Sequence, residues 1–88
     1  MNAREAISLF RHYQQSNHRK RTADSYRFLL RHFEALFSDR NLDSVKSDEI
    51  YHFLEQMTKT LSKSTRRLRY AQLKAFFNFI IEKLSPRS

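Results

Sequence analysis

The chain has no cysteine, no glycine and no tryptophan, and its one proline is Pro86. Without cysteine, neither disulfides nor a thiolate metal site can hold the fold, so an apolar core must do so alone. Without glycine, no Gly-rich phosphate loop can form. The scarcity of both chain-breaking residue types favours helices joined by short polar turns. No apolar run approaches the roughly 20 residues that span a bilayer, and the N-terminus lacks the order of a secretory signal. The protein is therefore expected to be soluble and cytoplasmic, with no membrane partner. Acidic residues are also few: 9 Asp and Glu stand against 17 Lys and Arg, a net charge of +8 on 88 residues. So small a surface carrying that charge attracts polyanions, with nucleic acid first and an acidic protein second.

What the chain does have is apolar residues at helical spacing, with eight Phe to fill one core. One domain of four helices is expected, roughly over residues 3–15, 22–37, 48–58 and 64–84. In the first, Ala3, Ala6, Ile7, Leu9, Phe10 and Tyr13 share a side. The second carries Tyr26, Leu29, Leu30, Phe33, Leu36 and Phe37 behind an expected N-cap at Thr22. Ser47 with Asp48 and Glu49 marks the third, whose stripe is Ile50, Phe53, Leu54 and Met57. Ser62 or Ser64 can cap the fourth, where Tyr70, Leu73, Phe76, Phe77, Ile80, Ile81 and Leu84 form the stripe and Pro86 marks the end. The fold class is all-α, a bundle of four or five crossed helices. Phe28 and Phe79 sit off these stripes, as does Leu68, and offer a second apolar surface for a neighbouring domain or protomer.

The positive charge is concentrated at two helix starts. Arg19, Lys20 and Arg21 lead into the second helix, while Lys63, Arg66, Arg67 and Arg69 surround the start of the fourth. Free backbone N–H groups and the positive end of the helix dipole already lie there, so added cations raise local repulsion unless an anion is intended. Thr22, Ser64 and Thr65 add hydroxyl donors of the kind that fix a protein on a phosphate backbone. Lys63, Arg67, Lys74 and Asn78 form a polar stripe that suits a helix lying along a groove. Arg66 and Arg69 are expected to project past the core with the fourth helix's free end.

Other chemistries find little support. His12, His18, His32 and His52 show no metal-ligand repeat, Glu34 and Glu55 have no recognisable partner, and Tyr13, Tyr26 and Tyr70 fall on apolar faces, leaving Tyr51. Nothing calls for a cofactor, and no catalytic constellation supports a stand-alone enzyme.

The series Thr22, Tyr26, Leu30 and Phe33, then Ile50 and Leu54, then Ser64-Thr65, Arg69, Leu73-Lys74 and Phe76-Phe77 resembles the core-binding, SAM-like N-terminal domain of tyrosine recombinases and phage integrases. The resemblance runs from about Ala3 to Leu84. It implies one jaw of a clamp on double-stranded DNA, with the second and fourth helices turned to the major groove. The other jaw would be a C-terminal catalytic domain of the same parent protein, bearing the nucleophilic tyrosine, and this chain is expected to be the part without it. Neighbouring protomers on DNA are further expected partners. Carried over by position, the DNA-facing residues are Thr22 with its basic lead-in, Ser64, Thr65, Arg66, Arg69 and Lys74. Arg66 departs from the family pattern, which often has an apolar residue there. The competing reading is a basic helical protein-interaction module that binds an acidic partner.

Overall fold

The first helix begins where two side chains cap each other. In the computed structural model, which describes residues 1–84, α1 spans Ala3–Asn17. The Asn2 side chain accepts from the Glu5 N–H at 2.9 Å, and the Asn2 N–H donates to the Glu5 carboxylate at 3.0 Å. This reciprocal pair satisfies donors that a helix start leaves over and puts acid at the positive end of the dipole. The second helix, α2, spans Lys20–Phe37. Just beyond its last turn, the carbonyls of Arg40 and Ser38 accept from the N–H groups of Ala3 and Arg4, each at 3.1 Å. Spare donors at the start of α1 thus meet acceptors at the end of α2, which fixes the two helices antiparallel.

With no glycine, the turns are made at negative φ throughout the described residues. α1 closes at His18, whose N–H donates to the Gln14 carbonyl at 2.8 Å, while the Asn17 amide donates to that of Tyr13 at 2.9 Å. α2 starts two residues before the Thr22 cap expected from the sequence. Arg19 takes the extended capping conformation, no side chain caps the helix, and Thr22 lies exposed within its first turn. Tertiary contact helps place this start: the His18 ring lies 5.4 Å edge-on from Tyr13 and 6.2 Å from a nearly parallel Tyr26.

A short 3-10 turn, Leu42–Ser44, buries Leu42 and leads to α3, Ser47–Met57. The Glu49 carboxylate accepts from the Lys46 N–H at 3.1 Å and pairs with Arg40, which also donates to the Ser44 carbonyl at 2.8 Å. The helix ends on Thr58, a buried residue whose hydroxyl donates to the Leu54 carbonyl at 2.6 Å. The fourth helix, α4, spans Lys63–Leu84. Of its two candidate caps, Ser62 serves, accepting from the Thr65 N–H at 3.3 Å. Pro86 and the side chain of Leu84 lie outside the described residues. No helix of the described part is long and apolar enough to cross a membrane.

Phe10, Phe33 and Phe76, all but fully buried, join the helices. Phe76 lies 5.4 Å from Phe10 and 5.8 Å from Phe33, and Phe33 reaches Phe53 of α3 at 5.6 Å. These edge-on contacts suit the ring quadrupoles. Ala3 and Ala6 are completely buried, so α1 approaches its neighbours closely.

The face of α4 differs from expectation. Its buried residues are Gln72, Leu73, Phe76 and Ile80, whereas Ile81 is 64% exposed and Tyr70 and Phe77 are only half-buried. At 100° per residue, the true inward direction is turned by about 60° from the purely apolar stripe. Phe79 moves inward with it, packing 5.2 Å from Phe10 and 4.7 Å from Tyr13, so it does not stand apart from the core as its off-stripe position suggests. Phe28 remains exposed, as does Leu68. On α2, Leu36 is 63% exposed because it lies at the edge of the apolar arc in the last turn.

Candidate nucleic-acid interface

The two basic helix starts come together because α2 and α4 run in the same direction. Arg69 bonds to Ser25 across a sequence separation of 44 residues, and two turns further on Phe33 faces Phe77 at the same separation. A constant offset over that length means parallel axes. The first turns of both helices therefore lie at one end of the bundle, with Arg19, Lys20 and Arg21 beside Lys63, Arg66 and Arg67, all exposed. Arg21 sits on the α4 side of α2, one turn before Ser25 and two before Phe28. Lys63, Arg67, Lys74 and Asn78 form an exposed stripe pointing away from the core. Ser64 is exposed and Thr65 half-buried, its hydroxyl accepting from that of Ser62 at 3.0 Å.

Acid does not neutralise this end. The ion pairs among the described residues are Arg4 with Asp39, Arg27 with Asp24, and Arg40 with Glu49. None involves Arg19, Lys20, Arg21, Lys63, Arg66, Arg67 or Lys74. Five of the nine acidic residues, Asp39, Asp43, Asp48, Glu49 and Glu55, fall between the end of α2 and the end of α3. Charge is distributed unevenly, with six cations outside any ion pair clustered where α2 and α4 begin.

Arg69 behaves differently from the other cations. Its guanidinium donates to the Ser25 carbonyl at 2.8 Å and to the Gln72 side-chain oxygen at 2.9 Å, and it lies 4.6 Å over the Phe28 ring. The Gln72 amide in turn donates to the Ser25 hydroxyl at 2.9 Å. Burial pushes the Arg69 pKa below the ordinary arginine value. Arg69 falls on the turned inward face of α4, in line with Phe76 and Ile80, so it does not project freely. Sequence reasoning missed Ser25 and Gln72 as its partners. The available signal was Gln72, three residues on and on the same helical side.

A groove of about 800 Å³ between α1 and α2 extends the positive surface, with Arg11, Lys20, Arg27 and Arg31 on its walls beside Asp24 and Glu34. Arg27 and Arg31, four residues apart on one face, were also passed over from the sequence. His12, His32 and His52 are exposed and scattered, and no group of residues among those described could hold a metal ion. Tyr26 is half-buried, and desolvation followed by Tyr13 raises its pKa.

No curated protein and no solved structure matches the chain. A family model does: that of the phage integrase N-terminal SAM-like domain, over residues 7–83. With nearly the whole of α1 to α4 inside that match and an all-helical fold to go with it, the chain belongs to the phage integrase N-terminal SAM-like domain family.

Proposed function

We propose that the domain grips duplex DNA with the end at which α2 and α4 start, and so holds the catalytic domain of a tyrosine recombinase on its core site. The observation that carries this reading is the meeting of two unpaired basic helix starts at one end of the fold. Packed helices lie roughly 8–10 Å apart, and the major groove is about 12 Å wide. One helix start can thus enter the groove while its neighbour meets the flanking phosphates. Arg19, Lys20, Arg21, Lys63, Arg66, Arg67 and Lys74 supply charge, and Thr22, Ser64 and Thr65 supply hydroxyls. The uncapped first turn of α2 adds backbone N–H groups that suit a phosphate oxygen. The domain performs no chemistry in this role. Strand cleavage belongs to the catalytic domain, and the site of action is DNA in the cytoplasm.

The test pairs equal charge losses at opposite ends. Arg21→Gln with Arg66→Gln removes one cation from each helix start, and Arg4→Gln with Lys46→Gln removes two from elsewhere. Titrated against a short duplex over a range of salt, the first pair should weaken binding more and reduce the log–log salt slope by roughly 1.8, the value for two lost phosphate contacts. Equal effects of the two pairs would disprove this surface. Tight binding to polyglutamate without binding to duplex would favour an acidic protein partner instead.

A further inference from the structure

We infer that Arg69 is a positioning residue that holds the two basic helix starts in register, and that it does not itself contact DNA. The inference rests on the proposed DNA-binding role for its functional meaning. Its geometry stands without it. The Arg69 guanidinium reaches the main chain of α2 at the Ser25 carbonyl, holds the Gln72 side-chain oxygen, and lies over the Phe28 ring. Gln72, only 4% exposed, closes the loop by donating to the Ser25 hydroxyl. The clasp lies one turn below the exposed cations Arg21 and Arg66, and it supplies the side-chain hydrogen bonds that join the helices at this level. The nearest aromatic contact between α2 and α4 is Phe33 with Phe76 and Phe77, about two turns away, with the buried core residues Leu29 and Leu73 at the levels between. Without the clasp, the first turns of the two helices are joined only through core packing further along and through Tyr26 on Phe10, and the separation between Arg21 and Arg66 would widen in its spread.

The chemistry calls for arginine in particular. A planar guanidinium can donate to two acceptors in its own plane while its face lies on an aromatic ring; a lysine ammonium has no such plane. Both hydrogen bonds are donated by Arg69 Nη1 and turn the guanidinium inward, whereas Arg66, three residues before it, is exposed.

The absence of native cysteine allows a direct test. Spin labels on cysteines at the exposed positions Asp24 and Leu68 report the separation of the two helix starts and its spread, without DNA. Arg69→Lys and Gln72→Ala should each broaden that distribution, although one keeps the charge and the other never carried one. In duplex binding, both should weaken affinity by roughly three- to tenfold, the range of one or two lost hydrogen bonds. The salt slope should stay unchanged, whereas Arg66→Gln should lower it by about 0.9. A distribution left unchanged by both variants would overturn the inference, as would full affinity in Arg69→Lys with a slope reduced by about one in Arg69→Gln. If the parent chain fails to bind duplex while the labels still show broadening, the DNA-binding proposal falls and the register role of Arg69 remains.

Discussion

The Glu49 carboxyl is held at a pKa of about 2, chiefly by the Arg40 hydrogen bond and then by the Lys46 N–H, against an ordinary value of 4.5. A carboxyl whose folded pKa is depressed stabilises the fold above its unfolded pKa and loses that contribution as pH falls through the folded one. Glu49→Gln should therefore lower the thermal midpoint at pH 7, with the gap to the parent chain closing between about pH 4.5 and 2. Melts at pH 7 and near pH 2.5 check this; a gap as wide in acid would mean that the amide disturbs something other than the ion pair. Phe79 allows a second residue-scale comparison. Half-buried, it packs on Phe10 and Tyr13 at the edge of the core, whereas Leu36 is 63% exposed. Phe79→Ala should cost roughly 2–4 kcal/mol and Leu36→Ala well under 1. Comparable losses in denaturant unfolding would show that the inward turn of α4 is misplaced.

Among the elements, the start of α1 is the one most completely bound. Asn2→Ala removes the acceptor for the Glu5 N–H and should destabilise the fold by about 1 kcal/mol, as Ser62→Ala should at α4. Chemical denaturation checks both; a neutral Asn2→Ala would mean that the carbonyls of Ser38 and Arg40 suffice to anchor α1. The four helices, their order and the stripe of α3 can be read in the sequence because apolar spacing dictates them. The stripe of α1 can be read only in part, since Leu9 and Tyr13 are exposed and the polar Gln14 is buried. The start of α2 cannot, since Lys20 and Arg21 are adequate helix formers and the turn before them is set by His18 between two tyrosines. The face of α4 was hidden for another reason. Its inward line passes through Arg69 and Gln72, polar side chains hydrogen-bonded to one another and to Ser25, and an apolar count gives such residues no weight. The same fact governs the candidate site. The clustering of cations was legible, but which arginine turns inward depends on a partner 44 residues away.

At the scale of the whole molecule, the basic end stands in tension with the stability of its own helices. α2 begins with Arg19, Lys20 and Arg21 in place of acid, and no side chain caps it, whereas α1 and α3 begin with acid in the first turn. Cations at a helix start oppose the macrodipole, and an uncapped first turn forgoes the contribution of an Asp or Ser acceptor. If the end exists to meet phosphate, correcting this local fault should improve the fold and harm the binding. Arg19→Asp makes the correction, because residue 19 already has the extended backbone of an N-cap and its side chain is exposed. An aspartate there can accept from the N–H groups of the first turn and favour the dipole, raising stability by about 1 kcal/mol. The same carboxylate would occupy the donors proposed for phosphate and change the local charge by two units. Duplex affinity should consequently fall more than in Arg19→Gln, which removes the cation without adding a strong cap. Thermal melts and salt-dependent duplex titrations on the two variants separate the effects. A rise in stability with affinity no lower than that of Arg19→Gln would show that the first turn of α2 faces solvent in the complex, and that the phosphate-binding end must be assigned to α4 alone.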